Sequence, residues 1–373
     1  MDLIFAMIHT AASYVVPFLA LTLVIVFVHE MGHFLTARYY GVTVEAFSIG
    51  FGKELLFWHD SYGTRWRIAL IPLGGYVKFA GDADPSSRPD PEAALPADAH
   101  SLMMQPVSAR AAIVAAGPFA NLVLSAVLLS GIAFYSGSQH VLPVVEQVLP
   151  GQPAERAGLR KGDQILAIDG EAIEDFAEVQ ALIAASPEKS LQFTIERNGA
   201  ELIVPITPAA VERKGLLSMF PVGRIGIRMA ASADHVRTVE YGPIEAVFYG
   251  IRQTYVMSMA NLQGIGAMIL GSGSINDVAG PLTIADLSKK TADAGLVPFL
   301  RWIAGISIAI GIVNLLPIPI LDGGHLVFYA WEAVRGKPVE ENVMALCYRF
   351  GLIIVLSLMG LGILSDVLRS FGG

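Results

Sequence analysis

Four long apolar segments punctuate the chain, from about Ala11 to Phe34, Ala111 to Phe134, Val297 to Leu316 and Gly351 to Leu368. Each approaches the roughly 20 residues a helix needs to cross a bilayer, so the pattern predicts four transmembrane helices. Between the first two, residues 42–81 take on strand character. Thr64 to Leu70 partly alternates, a proline-containing break follows, and Gly74-Gly75-Tyr76-Val77-Lys78-Phe79 resumes. With Gly50 and Gly52 interrupting the earlier run, this predicts a small glycine-rich sheet held against the membrane. Residues 82–100, rich in Pro, Ala, Asp and Ser, read as a mobile loop. From 137 to 210 short strands, turns and two helices predict a soluble α+β domain. Pro243 to Leu270 is apolar but carries Glu245, Arg252, Gln253, Asn261 and Gln263, which suits a helix lying in the interface better than a span.

The chain thus divides into a first span (1–40), a β region with its loop (41–106), a second span (107–136), the soluble domain (137–210), an interfacial helical region (211–295), a third span (296–331), and a loop with the fourth span (332–373). Composition agrees. Of 373 residues, 54% are hydrophobic and only 16% charged, against about 25% charged in ordinary soluble domains. The net charge of -8 argues against a nucleic-acid partner. A single cysteine, Cys347, rules out an internal disulfide. The first segment lacks the basic flank of a signal peptide and reads as a retained span.

The first span ends in His29-Glu30-Met31-Gly32-His33. Two histidines four apart share one helix face and reach one Zn²⁺, with the glutamate beside them able to take a proton from a water. The motif is short, and in soluble helices such histidines are often merely solvated. Inside an apolar span, however, three ionisable side chains need partners. Catalytic zinc usually takes a third protein ligand. After the third span, Asn314-Leu315-Leu316-Pro317-Ile318-Pro319-Ile320-Leu321-Asp322-Gly323-Gly324-His325 breaks the helix with two prolines. Irregular backbone at that depth belongs beside a cavity or within protein. Asp322 there is either a third ligand or a helix cap facing water, and His325 is an alternative ligand.

In the soluble domain, Pro153-Ala154-x-x-Ala157-Gly158-Leu159-x-x-Gly162-Asp163-x-Ile165-Leu166-x-Ile168-x-Gly170 resembles a PDZ domain of the bacterial protease type. Such domains add an extended peptide to a sheet edge. Taken in order, the His29–His33 motif, Gly117-Pro118-x-x-Asn121, the PDZ run and Asn314-x-x-Pro317-x-Pro319-x-Leu321-Asp322-Gly323 resemble the site-2 proteases, intramembrane zinc metalloproteases, and within them the RseP branch. The resemblance implies a polytopic α-helical membrane protein with four transmembrane helices, a small membrane-associated β-sheet and one periplasmic α+β PDZ domain. It implies one Zn²⁺ per chain held by His29, His33 and Asp322, Glu30 as general base, and Asn314 assisting near the substrate carbonyl. It implies a substrate strand pairing along Gly74, Gly75, Tyr76 and Val77. The implied substrates are single-span membrane proteins already trimmed outside, among them anti-sigma factors, and remnant signal peptides. Members of the branch often carry two PDZ domains; this chain shows one.

Topology follows from charge and parity. Basic residues cluster after the first span (Arg38, Lys53, Arg65, Arg67, Lys78) and before the fourth (Arg335, Lys337, Arg349). The positive-inside rule places these loops and the zinc on the cytoplasmic side of the bacterial inner membrane, with the PDZ domain and both termini periplasmic. Both ligand-bearing span ends then lie on one side only if Pro243 to Leu270 does not cross. Two rivals are a PDZ-bearing membrane scaffold with a structural or inactive metal site, and a metal transporter. The intact Glu30 disfavours the first. The scarcity of polar residues in spans two and four disfavours the second.

Overall fold

The computed structural model describes residues 2–80, 100–173, 175–211, 222–229, 235–269 and 279–371. It forms two compact units, one made of residues 1–131, 247–262 and 275–373, the other of residues 132–246 and 263–274. The loop expected at 82–100 lies almost wholly outside the described residues.

In the first unit, α1 (Asp2–Tyr39) runs unbroken through Pro17 and begins well before the apolar segment. A tight turn leads to β1 (Val44–His59) and β2 (Arg65–Phe79), which pair antiparallel. The proline-containing break predicted inside the second strand is not a break. Strand β2 continues through it and changes partners. Residues 46–49 of β1 pair with Arg65 to Ile68 on one side and with Gly75 to Lys78 on the other. Residues 75–79 therefore form an outer segment of the folded sheet. Phe47 is fully buried and stacks on Trp66, with Phe34 of α1 edge-on to both. This cluster joins sheet to helix.

Helix α2 (Val107–Ser136) follows. Small residues let its neighbours approach: a Cβ on Gly32 of α1 would sit 2.3 Å from the Ala116 carbonyl, and one on Gly311 would sit 3.1 Å from that of Pro118.

The second unit begins with β3 (Ser138–Val141) and β4 (Val145–Val148), then α3 (Pro153–Arg156), β5 (Gln164–Ile168), β6 (Glu171–Ala172), α4 (Phe176–Ala184), β7 (Leu191–Arg197) and β8 (Ala200–Ile206). Strands order as β6-β5-β7-β8. Asn198 and Gly199 both have positive φ, 53° and 78°, as a two-residue hairpin turn requires. Buried Ile165, Val179, Phe193, Ile195 and Ile206 make its core.

The boundary expected at 210 needs correction. Strands β9 (Ala209–Val211), β10 (Val222–Arg224), β11 (Ile227–Met229) and β12 (Val236–Val239) lie beyond or across it, and β10, β11 and β12 pair with β9, β4 and β3. Strands of three or four residues are too short to show a period, and their partners are remote in sequence. The interfacial region expected at 211–295 thus begins with strands of the soluble unit.

Helix α5 (Pro243–Ile269) is long enough to span but is not among the four described helices apolar enough to do so: residues Thr10–Tyr39 of α1, α2, α7 (Leu296–Asn314) and residues Glu341–Arg369 of α9 (Glu341–Phe371). Its Gly250 lies against Ala126 and Ser130 of α2. The amphipathic α6 (Pro281–Asp293) begins on the Asp366 carboxylate of α9, which accepts from the backbone N–H of Gly280, Leu282 and Thr283. This carboxylate satisfies donors that a helix N-terminus otherwise leaves bare.

The third span, expected from about 297 to 316 with a proline break at its end, is a single helix, and the rest of the region 296–331 folds as a second one. Helix α7 stops at Asn314, an irregular turn spans 315–321, and α8 (Asp322–Arg335) begins anew. Pro317 and Pro319 lack the N–H groups that would continue the helix.

Candidate metal centre

Helix α1 supplies His29 and His33 one turn apart, and α8 supplies Asp322 as its first residue. The three ligand atoms converge within 4.8 Å of one another. His29 Nε2 lies 3.3 Å from His33 Nε2 and 3.3 Å from Asp322 Oδ2; His33 Nε2 lies 3.6 Å from Asp322 Oδ1. A tetrahedral zinc with bonds near 2.0–2.1 Å separates its ligand atoms by about 3.3 Å. The His29–His33 and His29–Asp322 separations match that edge, and His33 lies slightly farther from the other carboxylate oxygen. His325 lies outside it, its ring tilted 5.8 Å from Tyr348 and edge-on to Phe328.

The surroundings fit a metal as well. His33 Nδ1 donates to the Ile113 carbonyl at 2.9 Å, which leaves Nε2 with its lone pair facing the triangle. His29 Nδ1 faces the side-chain amide of Asn121 at 3.3 Å. Asn121 is fully buried and its Oδ1 has no hydrogen-bond partner among the described residues. Turned by half a rotation, the amide gives Oδ1 the Nδ1–H of His29. That one change satisfies the orphaned oxygen and frees His29 Nε2 for a metal. Ser307 of α7 donates to the Asn121 carbonyl at 2.9 Å and fixes this part of α2.

Gly117 makes the space. A Cβ there would lie 2.2 Å from His33 Nε2 and 2.9 Å from His29 Cε1. Asn121 and Gly117 belong to a motif visible in the sequence, but its role as support for the imidazoles appears only once α2 is laid against α1. A bidentate ion pair from buried Arg110 of α2 to Glu332, at 2.6 and 3.1 Å, ties α8 to the same helix.

The remaining expected residues lie on α1, β2 and α7. Glu30 follows His29 on α1. A Cβ on Gly75 would lie 3.1 Å from Glu30 Cγ and 2.9 Å from Val26 Cγ1, so the outer segment of the sheet passes directly over the glutamate. Gly74 is covered by the Phe51 ring, which stacks on Tyr76, and Val77 is buried beneath. Asn314 ends α7, half-buried, on the segment leading into Asp322.

Comparison with known proteins identifies the family. The family model described as "Peptidase family M50" matches residues 17–358. A Rhizobium meliloti protein named "Putative zinc metalloprotease R01501" is 40% identical, covering 96% of this chain and 98% of its own length. "Metalloprotease MmpA" of Caulobacter vibrioides is 34% identical over 93% of both. A looser likeness, at TM-score 0.21 and 24% identity, links 24% of the chain to a solved PDZ domain of a Listeria monocytogenes protein. Matched along most of its length by the family and by these relatives, the chain belongs to peptidase family M50, the zinc metalloproteases of the site-2 type.

Proposed function

We propose that the protein hydrolyses peptide bonds inside the transmembrane segments of other membrane proteins, using one zinc ion held by His29, His33 and Asp322. The observation that carries this reading is the convergence of those side chains from α1 and α8, with Glu30 and the outer segment of β2 alongside. Zinc bound there supplies Lewis-acid polarisation of the scissile carbonyl and a water acidified towards neutral pH.

Glu30 takes the proton of the attacking water and delivers it to the leaving amine nitrogen. Asn121 and the Ile113 carbonyl hold the two imidazoles in the required tautomer. Asn314 assists at the substrate carbonyl. A helical substrate hides its carbonyls in its own hydrogen bonds, so it must unwind before attack. Its freed backbone pairs as an added strand along Gly74 to Val77, whose place over Glu30 brings an added strand to the base.

Substrates are single-span proteins trimmed outside the membrane, including anti-sigma factors and remnant signal peptides. The chain sits in the bacterial inner membrane with four spans. The metal centre lies towards the cytoplasm, and the PDZ unit and termini lie in the periplasm. Among the described residues β11 pairs only with β4, and its other edge accepts an extended peptide.

The test is zinc content and cleavage of a single-span substrate in proteoliposomes, for the wild type and Glu30→Gln. Zinc retained in both with cleavage lost in the variant is expected. Cleavage unaffected by Glu30→Gln overturns the reading.

A further inference from the structure

The turn before Asp322 holds the one exposed isoleucine of the described chain with a left-handed backbone, Ile320 at φ 92°. Branching at Cβ makes this conformation costly, and it persists only where the surroundings over-determine it. Two sets of glycines do so. Gly323 and Gly324, in the first turn of α8, let that helix close on the carbonyls of Leu316 and Ile318; Cβ atoms there would lie 2.2 and 2.5 Å from them. From the other side comes α9. A Cβ on Gly351 would lie 1.8 Å from the Pro319 carbonyl oxygen and 2.6 Å from its carbon. Backbone meets backbone there, and no flexible side chain can give way.

We propose that Gly351 is a positioning residue for the metal centre: its bare backbone seats Pro319, holds Ile320 in its strained conformation and thereby aims Asp322 at His29 and His33. The inference rests on the metal centre proposed above. On the N-terminal side of Gly351, Tyr348 packs on His325 and Phe328 of α8, and on its C-terminal side the contact ends at once. Residues 352–354 and 356–361 of α9 are exposed, whereas Gly351 is buried. At its far end α9 is anchored separately, by Asp366 on the start of α6. The turn itself is internally tied by Leu321 N–H to the Ile318 carbonyl at 3.0 Å and by Gly324 N–H to that of Leu321 at 2.9 Å. A shift of Pro319 therefore passes through Ile320 and Leu321 to Asp322 as one piece.

The test uses the full-length protein in nanodiscs and compares Gly351→Ala with Gly360→Ala, whose Cβ would meet nothing within 4 Å. Hydrogen exchange across residues 315–324 and zinc loss to a chelator are read side by side. Gly351→Ala is expected to exchange faster in that segment and to lose zinc about tenfold faster, while Gly360→Ala matches the wild type. Adding Ile320→Gly, which relaxes the turn, restores zinc retention in the Gly351→Ala background. Exchange and zinc loss in Gly351→Ala no faster than in Gly360→Ala overturn the proposal. A wild type that holds no zinc, with faster exchange in Gly351→Ala, defeats the metal reading and leaves the seat standing.

Discussion

The side-chain amide of Asn121 on α2, fully buried, lies 3.3 Å from Nδ1 of His29 on α1, and the amide oxygen has no hydrogen-bond partner among the described residues. The pair sets which nitrogen of His29 carries the proton. Asn121→Ala should weaken zinc binding by about 10- to 100-fold with the fold intact. Asn121→Asp should keep most of it, because a carboxylate also accepts Nδ1–H. Competition with a chromogenic chelator, alongside circular dichroism, measures both. Equal affinity in wild type and Asn121→Ala would remove the residue from the site.

Gly117 leaves no room for a side chain, since its Cβ would stand 2.2 Å from His33 Nε2. In Gly117→Ala the imidazoles must leave the triangle or α2 must withdraw. Stoichiometric zinc should be lost on dialysis and cleavage abolished. Zinc analysis of the purified variant decides this directly.

Gly75 passes over Glu30 and Val26. Gly75→Val drives a branched side chain onto both while leaving His29, His33 and Asp322 untouched. Zinc content should stay at the wild-type level, and kcat should fall on the order of a hundredfold, the scale set by misplacing a catalytic group by an ångström. Loss of zinc instead would mean that the strand supports the ligands rather than the base.

In the second unit Asp163 is buried. Burial works to raise its pKa, but the Arg197 guanidinium, at 2.7 Å from both carboxylate oxygens, and the Arg160 N–H hold it below the ordinary carboxylate range. The pKa is lower folded than unfolded, so the pair contributes its full stability above the unfolded value, about pH 4, and loses it as pH falls through the folded value. Hydrogen exchange of residues 158–168 in the full-length protein should accelerate on acidification past that point, beyond the intrinsic pH dependence. Asp163→Asn should cost about 2 kcal/mol and flatten the profile; an unchanged profile would show that Asp163 does not set it.

Much of this molecule was legible in the chain itself. The apolar runs match the four described helices that are both long and apolar enough to cross a bilayer, because hydrocarbon-length segments are read from composition alone. His29 and His33 could be paired because a helix fixes which residues share a face, while the residues around Asp322 allow both a third ligand and a helix cap, and the family resemblance favours the ligand. The Asn198-Gly199 turn is likewise a local matter, settled by which residues tolerate positive φ.

Tertiary structure alone decided the rest. Strands β10, β11 and β12 are too short to announce themselves and exist through partners far away in sequence. That Gly117 makes space for two imidazoles, that Gly75 lies over Glu30, that Asn121 faces His29 and that Gly351 seats Pro319 are relations between surfaces brought together by packing. A glycine's sequence neighbours say that the backbone may bend; only the element laid against it says that a side chain is forbidden.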